Sequence, residues 1–135
     1  MNIKEIIHIS GKSGLYKIIS KKAQLIVIEN ISNKKRSILN PIYQVSSLEE
    51  IEIYTYKDTI ALNDVLNAIE KKENYKPCIS HKSKEDDLIK YFREIEPNYD
   101  EKRVYTSNIK KILQWYNLMN EHIKINKKNG NTKKT

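Results

Sequence analysis

Apolar residues change their spacing partway along the chain, and the change separates a β-rich first half from a helical second half. The opening is the exception. Ile3, Ile6 and Ile7 recur at i, i+3 and i+4, so residues 2–9 read as a short amphipathic helix that ends at a glycine, Gly11. Residues 14–20 (GLYKIIS) and 24–30 (QLIVIEN) are β-rich runs joined through Lys21, Lys22 and Ala23, a hairpin pattern. Residues 30–35 make a second turn, and RSILNP reads as a third strand that Pro41 stops. In residues 50–56 (EIEIYTY), Glu50 and Glu52 alternate with Ile51 and Ile53, the period of a strand with one wet face. Short strands with tight turns predict a small SH3-like antiparallel β-barrel, or a curved sheet, because closure removes the exposed edges of a small sheet.

Beyond residue 62 the period becomes helical. Leu62, Val65, Leu66 and Ile69 form one stripe, which predicts a helix over 63–73 closing the open side of the barrel. Residues 72–83 (KENYKPCISHKS) are polar, broken by Pro77, and read as a linker. Ser83-Lys84-Glu85-Asp86 resembles a capping box, and acids in the first turn suit the positive end of the helix dipole, so a helix over 84–95 follows and Pro97 stops it. Ile109, Ile112, Leu113, Tyr116 and Met119 fall within one stripe of a last helix over 107–121, with Trp115 at its flank. The fold class is therefore α+β: a barrel domain with its closing helix over 1–74, a helical domain over 83–122, and a disordered lysine-rich tail over 123–135.

Composition supports a folded chain. Ile, Leu, Val and Phe make up 36 of 135 residues, above the roughly 20% below which highly charged chains stay disordered. No run approaches the ~18 apolar residues of a membrane span, and the N-terminus lacks a secretory pattern, so no membrane partner and a cytoplasmic location are expected. A single cysteine, Cys78, fits a reducing compartment.

The formal charge of +8 is unevenly placed. Residues 124–135 carry five lysines and no acid, and residues 81–123 carry eight basic and eight acidic residues. Residues 12–36 hold six lysines and Arg36 against Glu29 alone. This is the basic patch expected on the folded part, and lysines on adjacent hairpins can neutralise phosphates and release counterions. A chain this rich in Ile, Lys and Asn also carries charge from codon bias.

Candidate chemistry is sparse. HISGKSGL contains the Gly-Lys-Ser tail of a phosphate loop, but the required earlier glycine is replaced by Ile6, and a strand rather than a helix follows, so no nucleotide site is expected. Cys78 and His81 are half a ligand set where structural zinc demands four ligands. Glu85, Asp86 and Asp87 read as dipole partners of a helix start, not as an acid/base pair. No catalytic residue, metal or cofactor is expected.

Tyr91, Tyr99, Tyr105, Trp115 and Tyr116 crowd the helical part. Ile9-Ser10-Gly11-Lys12 and Gly14-Leu15-Tyr16-Lys17, followed by Tyr91-Phe92, Pro97-Asn98-Tyr99-Asp100, Arg103-Val104-Tyr105, Ser107, Ile109-Lys110-Lys111 and Trp115-Tyr116, carry a family likeness. In this the chain resembles a bacterial family of unknown function, in which an N-terminal domain opening ISGKxGLYK precedes a C-terminal one with the Tyr/Trp motif. The resemblance covers about residues 1–120 and implies two subdomains. It brings no activity or cofactor.

Two functional expectations follow. The first is a non-enzymatic binding module that contacts RNA, DNA or a ribonucleoprotein through Lys21, Lys22, Lys34, Lys35 and Arg36, with Lys110 and Lys111 at a helix start as a second route. The alternative is a protein-interaction or scaffold module that uses an aromatic and arginine patch of Tyr99, Arg103, Tyr105 and Trp115, the residue types interface hot spots favour.

Overall fold

The computed structural model describes residues 1–123. The expected tail falls, from residue 124 on, outside the described residues. Seven strands and three helices follow one another: β1 (Ile6–Ile9), β2 (Tyr16–Lys22), β3 (Leu25–Asn30), β4 (Arg36–Ile38), β5 (Val45–Ser47), a 3-10 turn (Leu48–Glu50), β6 (Glu52–Tyr54), β7 (Thr59–Ala61), α1 (Leu62–Lys72), α2 (Glu85–Ile95) and α3 (Thr106–His122).

The first five strands form one antiparallel sheet in the order β4-β3-β2-β1-β5. Its edges, β4 and β5, do not pair with each other, so the sheet is open where SH3-like closure was expected. The strand expected to complete the barrel, β6, pairs instead with β7 as a separate hairpin. Both edges of the larger sheet are three residues long, which limits the exposed backbone that closure would otherwise have to remove.

The opening segment is a strand, not the helix its spacing suggests. β1 lies between β2 and β5, and alternate residues serve two different cores: Ile6 packs toward the helices, while Ile7 and Ile9 join Ile28 on the opposite face. A strand buried on both faces is apolar at successive positions, and three isoleucines in such a run imitate a helical stripe. Asn30 organises the β3–β4 turn, its Oδ1 accepting the N–H groups of Ser32 and Asn33.

The three helices form where their stripes predict. Leu62, Val65, Leu66 and Ile69 of α1, Leu88, Tyr91 and Phe92 of α2, and Ile109, Ile112, Leu113, Tyr116 and Met119 of α3 are buried together with Ile3, Ile6, Leu15, Ile31 and Leu48 from the first half. One apolar core therefore spans both halves. The 73–84 connection is strapped to α3: Cys78 N–H donates to Asn117 Oδ1 (2.9 Å), Tyr116 Oη–H to the Lys76 carbonyl (2.8 Å), and Asn120 Nδ2 to the Tyr75 carbonyl (2.9 Å). Among the described residues, no helix is long and apolar enough to cross a membrane.

Candidate functional site

A cleft of about 340 Å³ opens between β6 and the start of α3. Its strand wall is Ile51–Tyr54. The opposite wall carries Arg103, Val104, Tyr105, Asn108, Lys111, Ile112 and Trp115. Tyr105, Asn108, Ile112 and Trp115 follow helical spacing, so one face of α3 supplies that wall from its first turn onward. The start of α3 is fixed by two hydrogen bonds. Asn108 Oδ1 accepts the Tyr105 N–H at 2.8 Å, and Thr106 Oγ1 donates to Glu85 Oε2 at 2.7 Å, tying α3 to the first turn of α2.

Three of the four aromatic and arginine candidates meet in this cleft. The Arg103 guanidinium lies over the Tyr54 ring, 4.2 Å from its centre, and its Nε donates to Asp100 Oδ2 at 2.9 Å. That bond, with the Lys102 N–H, holds the Asp100 carboxyl below its ordinary range. Tyr105 is 61% exposed, so its ring is open to a partner at the cleft. Trp115 is mostly buried and leans on His8 of β1, ring centres 5.3 Å apart, while its edge reaches the cleft. Burial and the neighbouring Lys111 charge both push the His8 imidazole down from 6.5, which keeps this contact neutral at physiological pH.

Tyr99 stands apart. It is 1% exposed, stacked edge-on against Phe92 with centres 4.9 Å apart, and its ring is part of the core. Burial raises its phenol pKa. Tyr99 offers no ring to a partner, and its part is to hold the 98–100 segment against the end of β6, with which it forms a bridge at Thr55.

The lysine candidates do not gather on one surface. Lys21 and Lys22 pair with Ile26 and Leu25 at one end of β3, whereas Lys34 and Lys35 sit in the turn at its other end, where Asn30 N–H donates to the Lys35 carbonyl at 2.9 Å. Five residue steps along the strand separate the groups by about 17 Å. Arg36 is occupied by Glu29, Nε to Oε2 at 3.0 Å. Lys34 instead joins Lys4 and Lys17 around a cavity of about 310 Å³ that Glu29 and His122 share.

The Gly11–Gly14 loop connects β1 to β2 and opens no helix, so no helix dipole faces it. Lys12 lies over the Tyr43 ring, 4.9 Å from its centre. Cys78 is half-buried, and burial first, then the Glu73 charge, push its thiol up to about 12. Among the described residues, no three His, Cys, Asp or Glu side chains come together as a metal site.

Sequence reasoning missed the strand wall and Lys111's place beside it. One signal was present: the period-2 alternation puts Tyr54 on the same wet face as Glu52, and a large aromatic there needs a neighbour.

Comparison with known proteins adds kinship without chemistry. The model of one domain of unknown function (DUF6852) matches residues 51–119, and that of another (DUF5606) matches residues 3–48. The two meet at the 3-10 turn. A solution NMR structure of a Bacteroides vulgatus protein, from the Northeast Structural Genomics Consortium, shares 39% identity, with 90% of this chain and 87% of that chain covered and a TM-score of 0.73. No curated protein matches.

Proposed function

Because the chain belongs to the DUF6852 family, with a DUF5606 domain before it, and the family carries no assigned activity, we propose a function from geometry: a non-enzymatic interaction module that receives a partner protein in the cleft between β6 and α3. The observation that carries this reading is the convergence of Arg103, Tyr105 and Trp115 on one cleft with Tyr54. Tyrosine, tryptophan and arginine bring large contact area and directional hydrogen bonding at little entropic cost, which is why they dominate binding hot spots. The floor is apolar, from Ile51, Val104 and Ile112, and the rim is polar, from Glu52, Asn108 and Lys111. An apolar floor with a polar rim supports this reading, because protein interfaces share that pattern. A cytoplasmic setting belongs to the same reading and rests on the lone cysteine, Cys78.

Affinity capture with the full chain as bait tests it. A bound protein retained by Lys34→Glu/Lys35→Glu/Arg36→Glu and lost by Arg103→Ala/Tyr105→Ala supports the cleft. The opposite pattern contradicts it.

A nucleic-acid reading keeps one specific support, the grouping of Lys4, Lys17 and Lys34 around the cavity near the end of α3. Its test is salt dependence. Each lost phosphate contact flattens the log–log slope of affinity against salt by about 0.7–0.9, so Lys4→Glu/Lys17→Glu/Lys34→Glu lowers the slope by two units or more if this surface holds RNA.

A further inference from the structure

The outer edge of β6 has unpaired backbone groups. In the β6–β7 ladder the hydrogen-bonded pairs are those of odd-numbered β6 residues: Leu62 N–H donates to the Ile51 carbonyl (2.9 Å), and Thr55 N–H to the Asp58 carbonyl (2.8 Å). The even-numbered residues, Glu52 and Tyr54, therefore turn their N–H and C=O groups away from β7. Part of this outer edge is already used by the chain itself. Residues 98–100 lie antiparallel along it, with Tyr56 N–H donating to the Asn98 carbonyl (3.0 Å) and Asp100 N–H to the Tyr54 carbonyl (3.0 Å). At Asp100 the chain turns off the edge into α3, Arg103 and Val104 N–H both returning to the Asp100 carbonyl. The Tyr54 N–H and both groups of Glu52 have no backbone or side-chain partner among the described residues, and they border the cleft.

We propose that this edge is a short strand-addition site, where an extended acidic segment of a partner protein takes up the line of residues 98–100 beyond Asp100, pairs with the Tyr54 N–H and both groups of Glu52, and places a carboxylate at Lys111. The inference rests on the reading of the cleft as a protein-binding site. Unpaired strand groups beside a helix are what an extended peptide satisfies, through backbone hydrogen bonds for affinity and side-chain pockets for selectivity. From Tyr105 to Trp115 the helical wall rises about 15 Å, which matches four to five residues of extended chain. Charge selects the acid: Arg103 is paired with Asp100, and Lys111 has no ion pair among the described residues. An aliphatic side chain of the same segment meets Ile112 and Trp115.

A random heptapeptide phage library panned against the full chain supplies the probes. Selected peptides are expected to combine an acid with an aliphatic residue. Glu52→Pro removes the outward N–H and keeps the ladder, since that N–H does not face β7 and Ile51 already has the extended backbone (φ −80°, ψ 135°) that precedes proline. It is expected to weaken peptide binding at least tenfold, while Glu52→Gln, which keeps that N–H and removes a negative charge from the rim, tightens the binding of acidic peptides, and Lys111→Glu reverses the preference for acids. A peptide N-methylated at its central bond, tested on the unaltered protein, should also lose tenfold or more, which keeps the proposal testable if Glu52→Pro does not fold. Binding indifferent to Glu52→Pro and to N-methylation but lost in Tyr105→Ala overturns strand addition and leaves the cleft standing. Failure to select any peptide that Tyr105→Ala releases overturns both, as does a uridine 20-mer that binds here and is lost in Lys111→Glu.

Discussion

His8 and Trp115 form a contact whose state can be followed directly, since Trp115 is the sole tryptophan. Burial and the Lys111 charge lower the His8 pKa in the folded protein. The unfolded chain therefore takes up this proton first as pH falls, and stability contributed by neutral His8 is present above 6.5 and lost below it. Trp115 fluorescence in the native protein should change with a midpoint below 6.5, and His8→Gln should abolish the change. A midpoint at or above 6.5 contradicts the assignment. Tyr99 and Tyr105 make a second contrast at this scale. Tyr99→Ala leaves a cavity beside Phe92 and should cost about 3–5 kcal/mol. Tyr105→Ala, at an exposed position, should stay within about 0.5 kcal/mol of the parent in urea denaturation, so any loss of binding it causes belongs to the interface. Equal costs for the two would refute their separation into core and surface. Cys78, with its thiol raised to about 12, should react with iodoacetamide at pH 8 far more slowly than in urea; equal rates would show that the 73–84 strap is open.

At the scale of elements, legibility followed periodicity. The helices predicted over 63–73, 84–95 and 107–121 appear as α1, α2 and α3 within a residue of those limits, because each packs a single stripe against one core. The runs read as strands appear as β2, β3, β4 and β6, each with a recognisable wet face, turn or proline stop. β1 was hidden because burial on both faces erased its alternation, and β5 (VSS) and β7 (TIA) carry no apolar–polar alternation of their own. The cleft was half legible. Arg103, Tyr105 and Trp115 stand close in sequence within one motif, but the Ile51–Tyr54 wall comes from fifty residues earlier, and only tertiary structure joins them. The lysines show the opposite relation: a cluster in sequence becomes two groups at opposite ends of β3. The strap shows how a polar linker becomes ordered. Asn117→Ala strands the Cys78 N–H and should cost about 1–3 kcal/mol, with faster amide exchange at Cys78; unchanged exchange there would mean that Asn117 does not hold the segment.

For the whole molecule, the shared core decides how the two family-matched regions behave. Ile3, Ile6, Leu15, Ile31 and Leu48 from one and the helical residues from the other bury a single apolar surface. Urea unfolding followed by Trp115 fluorescence and by far-UV circular dichroism should therefore give coincident single transitions; two separated midpoints would show that the regions fold independently. Both walls of the cleft, on β6 and α3, lie within the second of these regions, and the first reaches it through the His8–Trp115 contact. Whether this cleft receives a protein is tested by site-specific photo-cross-linking in cells, with the photoreactive residue at position 105 in one sample and at position 35 in another. A discrete protein adduct is expected from position 105, disappearing on adding Arg103→Ala, and none from position 35. A nucleic-acid adduct from position 35, with no protein adduct from 105, would contradict it.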